Sequence, residues 1–180
     1  SVKPILCNAL KLLNLFMVHM NVALTGTPGT GKTSIAEELD SFNILDLKKF
    51  VKDRNLGEQK KEFEVDTEEM VKNLREEVNS KDNVLIEGHL SHHFSADFCV
   101  VLRCNPEELR ERLSKRDYSE DKIEENIESE ILDVILSEAV EKQENIIEVD
   151  TTGKEPKEVA KEIEDKIENR ETGYGEIDWT

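Results

Sequence analysis

Gly26-Thr27-Pro28-Gly29-Thr30-Gly31-Lys32-Thr33 fills every fixed position of the pattern G-x-x-x-x-G-K-[ST]. Upstream, Met20-Asn21-Val22-Ala23-Leu24-Thr25 is a short apolar run that reads as a buried strand, and downstream Ser34-Ile35-Ala36-Glu37-Glu38-Leu39 reads as a helix. A glycine-rich link could join any strand to any helix, but this spelling has a chemical reason. Gly26, Gly29 and Gly31 let successive backbone N–H groups turn inward around phosphate oxygens, and the helix beginning near Lys32 adds its positive end. Lys32 then reaches the outer phosphates as a mobile charge, and the Thr33 hydroxyl is placed to ligate the Mg2+ that bridges them.

Outward from this loop, short aliphatic strands alternate with helices. Phe42-Asn43-Ile44-Leu45 reads as a strand ending at Asp46, and Asp97 to Leu102 and Asn145 to Asp150 as two more. Helices are expected from Asp66 or Thr67, with Met70, Leu74 and Val78 on one face, from Pro106, with Leu109 and Leu113, as one long element from about Glu120 to Lys142, and from Pro156 to Asn169. The pattern predicts a three-layer α/β domain around a five-stranded parallel sheet. Asn83-Val84-Leu85-Ile86-Glu87-Gly88-His89 is a buried strand that ends on a carboxylate. In such a sheet the carboxyl end of a neighbouring strand faces the phosphates, so Glu87 is able to hold Mg2+ through water. His89 lies two residues on, at the same rim. It is either a satisfied polar group at a strand end or an imidazole that orients water, its ordinary pKa of about 6.5 leaving it mostly neutral at pH 7.

Composition sets further bounds. A chain of 180 residues has room for one domain with an adequate core, and with aromatics at 5% that core must be aliphatic. Lys and Arg number 24 against 41 Asp and Glu, a formal charge of −17. A field of that sign repels bare nucleic acid and anionic membrane and suits basic protein partners, although Glu and Lys at helical spacing also make an ordinary solvated surface. Cys7, Cys99 and Cys104 show no metal spacing and are odd in number, which points to reduced thiols and a cytoplasmic location. Residues 1–19 carry no acidic side chain and read as an extension, with Met17 and Met20 both fitting a native start and an amphipathic partner helix as the other reading. Their apolar run is too short to span a bilayer, and no small-residue cleavage site follows it.

Two cationic features stand out against the acidity. Lys48, Lys49, Lys52, Arg54, Lys60 and Lys61 form a basic stretch after the second strand, which suits either a second anion or a solvated helix face. Arg112 and Arg116 recur four apart and run into a break at Asp117-Tyr118-Ser119. Such arginines can stabilise the charge that phosphoryl transfer spreads over equatorial oxygens, and surface pairing with Glu108 or Glu111 is the other reading.

Together, Thr25 to Thr33, the Glu-x-His of Glu87 and His89, and Val101-Leu102-Arg103 through Glu111-Arg112-Leu113 to Arg116-Asp117-Tyr118 resemble the small adenylate kinases of the isoenzyme 6 family. That family includes a coilin-interacting nuclear ATPase of eukaryotes and archaeal counterparts, and the acidic, Lys-rich composition is of the archaeal type. The resemblance covers residues 20 to about 170. It implies a nucleoside monophosphate (NMP) kinase fold with an NMP-binding segment near 43–65, a short lid near 115–125, and a tail at 171–180 outside the domain. It further implies ATP contacts at Gly29, Gly31, Lys32, Thr33, Ser34, lid Arg116 and Lys154, with Lys154 in the loop bordering the adenine. The implied activity is Mg2+-dependent transfer from ATP to AMP with weak ATPase activity, and the implied partner is a basic ribosomal protein during small-subunit maturation. Two residues depart from the pattern. Glu87 stands where other members have aspartate, and Lys49, three residues after Asp46, stands where eukaryotic members have an arginine at the NMP site, a point charge in place of a bidentate fork. The tail, with the single Trp, is expected to be ordered at most in part.

Overall fold

A computed structural model describes residues 19–59 and 63–180. The expectations for residues 1–18, Cys7, Met17, Lys60 and Lys61 lie outside the described residues. The element order is β1 (Asn21–Gly26), α1 (Lys32–Ala36), β2 (Asn43–Asp46), α2 (Leu47–Asp53), β3 (Gly57–Gln59), β4 (Phe63–Val65), α3 (Thr67–Asn79) and β5 (Val84–Glu87). A 3-10 turn (Ser91–His93) follows, then β6 (Phe98–Arg103), α4 (Pro106–Ser114), α5 (Glu120–Ile131), α6 (Val134–Lys142), β7 (Ile146–Asp150) and α7 (Pro156–Glu168).

The main sheet has five parallel strands in the order β2-β5-β1-β6-β7. Its central strands are apolar along their length because helices cover both faces. Successive residues point to opposite layers. Val22, Leu24, Leu85, Val100 and Leu102 meet α1 and α7 through Ile35, Val159, Ile163 and Ile167. On the other face Val84 and Ile86 meet Met70, Leu74 and Val78 of α3, while Ala23, Cys99 and Val101 meet Leu136 and Ala139 of α6. The shared strand direction brings Gly26, Asp46, Glu87, Arg103 and Asp150 to one rim.

Three features differ from the sequence expectation. The segment after α2 contains an antiparallel hairpin, β3 with β4, which its charge pattern did not signal. The long helix expected over 120–142 is two helices. Asp133 takes a left-handed conformation (φ 53°), its carboxylate pairs with Arg103, and Arg103 Nη2 also donates to Glu130 O at 3.2 Å. The buried guanidinium thus claims a carbonyl and a carboxylate at the point where the helix stops. The tail is docked, with Gly173 bridging Ile147 at the free edge of β7 and Gly173 N donating to Ile146 O at 2.8 Å. Among the described residues, no helix is long and apolar enough to cross a membrane.

Candidate nucleotide-binding site

The loop between β1 and α1 is held by its own backbone and by α4. Thr30 Oγ1 and Thr30 N both donate to Thr27 O, at 2.8 and 3.2 Å. Gly29 has φ 96°, and a Cβ there would meet Leu109 Cδ1 and Leu113 Cδ2 at 2.9 Å, so α4 packs directly on the loop. Lys32 Nζ donates to Gly26 O at 2.7 Å and Thr27 O at 3.0 Å, folding the charge back over the hollow of the loop. Burial lowers the Lys32 pKa to about 8, with Glu87 opposing the shift and Arg116 adding to it.

Glu87 ends β5 beside Leu24 of β1 and Asp46 of β2. Its Oε1 accepts from Thr33 Oγ1 at 3.1 Å. Burial raises the Glu87 pKa, and the Asp46 carboxylate adds to that rise against the Thr33 hydrogen bond and the Lys32 charge. Gly88, at φ 154°, makes the turn that follows, and a Cβ there would meet Leu47 Cβ at 2.9 Å. His89 then emerges at the rim with solvent on one edge. Partial burial of the ring and then the nearby charge of Lys32 lower its pKa to about 4, so the imidazole is neutral at pH 7.

The remaining candidates divide. Ser34 follows Thr33 in α1 and is exposed. Asp46 caps α2, accepting from Lys49 N at 3.0 Å, and the Lys49 side chain is exposed. Arg116 lies in the short link between α4 and α5, its guanidinium carbon 6.0 Å from the centroid of the Tyr118 ring. Lys154 follows β7, where its ammonium donates to Glu162 at 2.8 Å. Arg112 is a brace. It pairs with Glu108 and donates to Thr30 O at 3.3 Å, Thr151 Oγ1 at 3.2 Å and Thr151 O at 3.0 Å, tying α4 to the loop and to the end of β7.

One residue beneath the site escaped the sequence reading. Glu130, 2% exposed, accepts from Thr27 Oγ1 at 2.5 Å, Arg103 Nε at 2.8 Å, Cys104 N at 3.1 Å and Trp179 Nε1 at 3.2 Å. It joins the phosphate loop to β6, to α5 and to the tail. A glutamate in the acidic pattern of α5 carries no local mark of burial. The apolar run of β6 ending on an arginine was the available signal, since a buried guanidinium requires carboxylates around it.

The AAA domain family matches residues 22–133. The "Putative adenylate kinase" of Thermococcus gammatolerans is 44% identical over 166 residues, covering 89% of this chain and 93% of that protein. Those of Pyrococcus furiosus and Methanocaldococcus jannaschii are 45% and 38% identical, again over 89% of this chain and over 92% and 93% of theirs. Among solved structures, shikimate kinase from Acinetobacter baumannii in complex with shikimate superposes with a TM-score of 0.61 at 15% identity, covering 88% of this chain and 98% of that one. Deoxyadenosine kinase from M. mycoides with bound dATP gives 0.53 at 18% identity, covering 82% and 99%. At these identities the structural likeness shows the fold alone, a P-loop kinase fold.

Proposed function

The chain belongs to the family of the archaeal putative adenylate kinases, and from that premise we propose that it transfers the γ-phosphoryl group of ATP to AMP to give two ADP. The observation that carries this reading is the grouping of Lys32, Thr33 and Glu87 at the rim where Asp46 opens the basic segment. In the transfer, an oxygen of the AMP phosphate bonds to the γ-phosphorus as the bond to the bridging oxygen of ADP breaks. Lys32 and Arg116 stabilise the charge on the transferred group, and the segment around Lys49 receives the acceptor. Gly29, Gly31, Thr33 and Ser34 hold the phosphates and Lys154 borders the adenine. Thr33 Oγ1 and Glu87 Oε1, 3.1 Å apart, are an all-oxygen pair that fits Mg2+. When bound, that ion neutralises charge on the β- and γ-phosphates.

ATP hydrolysis is the side reaction, with water in the acceptor's place. Neutral His89 stands beside Glu87 at the rim and aligns that water by a hydrogen bond. Transfer to AMP needs no such help, because its loose transition state depends on positioning and charge stabilisation. Assays with AMP, CMP, GMP, UMP or water as acceptor test both statements. AMP is expected to be the preferred acceptor, and His89→Ala to slow hydrolysis about tenfold more than AMP phosphorylation, or about 1.4 kcal/mol in the barrier. Loss of both activities in parallel, or of neither, makes His89 structural, and no ADP from AMP overturns the kinase reading.

The charge of −17 favours a second, compatible reading, in which the protein is an ATP-switched assembly factor of the isoenzyme 6 type that grips a basic small-subunit ribosomal protein. Capture with the purified chain at moderate salt, with and without ATP, is expected to retain such a protein. Recovery of none in either state leaves a purely metabolic enzyme.

A further inference from the structure

Beyond Glu87 and His89 the chain turns through Ser91–His93 against α6. The His92 side chain is fully buried, while His93 and Glu138 of α6 keep 18% and 43% of theirs exposed. The two imidazoles lie side by side, ring centroids 4.5 Å apart and planes inclined by 35°. Both Nε2 atoms approach the same Glu138 oxygen, at 2.8 Å from His92 and 3.9 Å from His93, and one donor atom from each of the three residues fits within 4.8 Å of the others. Zinc with bonds of about 2.0–2.2 Å holds tetrahedral donors about 3.4 Å apart, a spacing that the two measured separations bracket.

The other nitrogen of His92 governs what its Nε2 can do. Nδ1 lies 2.9 Å from Thr25 Oγ1, and that hydroxyl also reaches His89 O at 3.3 Å. One hydroxyl proton cannot serve both neighbours. Both contacts are satisfied when Nδ1–H donates to Thr25 and Thr25 O–H donates to His89 O. In this tautomer the Nε2 lone pair faces the Glu138 carboxylate and is available to a cation shared between them, whereas the other tautomer has Nε2–H donating to Glu138 and the Thr25 hydroxyl donating to Nδ1.

We propose that His92 Nε2, His93 Nε2 and the Glu138 carboxylate form a binding site for one zinc ion, with Thr25 orienting His92 from behind. Two neutral imidazoles and one carboxylate suit zinc better than Mg2+ or Ca2+, which take oxygen donors. The cavity beside His93 is also lined by three cations, Lys72 and Arg75 of α3 and Lys142 one turn beyond Glu138 on α6, with the Glu68 carboxylate among them. Glu138 and Glu68 set two carboxylates against those three charges, so zinc binding there has to come from direct ligation rather than from the local field. The ion would clamp the turn after β5 to α6, and through Thr25 it would touch the residue that precedes the phosphate loop.

The test is Zn2+ titration of the chelator-stripped full chain against a chromophoric competitor, with thermal unfolding alongside. The wild type is expected to take up one tightly held equivalent and to gain Tm with zinc. His93→Asn and Glu138→Gln, both at partly exposed positions, are expected to unfold like the stripped wild type, to bind at least about tenfold more weakly and to lose the Tm gain. Thr25→Val is expected to weaken binding about 10- to 100-fold. Absence of stoichiometric uptake by the wild type, or equal uptake by His93→Asn and Glu138→Gln, overturns the proposal.

Discussion

Lys32 shows how a single residue is set for an anion before one arrives. Its ammonium is folded onto Gly26 O and Thr27 O in a site whose burial holds the pKa near 8. Between about 8 and 10.5 the unfolded chain carries more proton on this lysine than the folded chain does, so its contribution makes stability rise with pH across that window. A polyphosphate acts the other way, favouring the charged ammonium. At pH 8, where the free site is about half protonated, MgATP binding should therefore draw in up to about half a proton. Calorimetry in buffers of different ionisation enthalpy reads this directly, and affinity should weaken above pH 8. Lys32→Met should abolish the buffer dependence. A wild-type enthalpy that is the same in every buffer contradicts this picture of the ammonium.

At the scale of elements, the phosphate loop rests on a buried carboxylate. Glu130 connects Thr27 to Arg103 and to Trp179 of the tail, and Arg103 is shared with Glu148 and Asp133. Glu130→Ala strands part of a buried charge and should cost roughly 3 kcal/mol, toward the lower end of the range for broken buried pairs because two carboxylates remain. Urea denaturation measures it, and a loss below about 1 kcal/mol shows the network to be dispensable. The loop, β1 and β5 were legible in the sequence because their pattern is local: glycines at fixed spacing, an apolar run and a terminal carboxylate. The break at Asp133 and the docking of the tail were not. Both depend on Arg103, Glu130 and Glu148, residues 18 to 45 positions apart whose meeting is set by strand order. The hairpin after α2 escaped for a simpler reason, since Gly57-Glu58-Gln59 and Phe63-Glu64-Val65 are too short and charged to show an alternation.

For the whole molecule, five parallel strands deliver Lys32, Glu87 and Asp46 to one rim, and Arg116 lies in the link that follows α4. The surrounding charge of −17 opposes the approach of a nucleotide, so the local cations of the rim and of the segment from Lys48 to Arg54 must overcome it at short range. The most direct measurement follows a labelled γ-phosphate of ATP when the purified chain is given MgATP and AMP. Label is expected at the β position of newly formed ADP, at a rate that Lys32→Ala lowers about a hundredfold or more. Label found only in free phosphate, or transfer to AMP that survives the loss of Lys32 unchanged, contradicts the account.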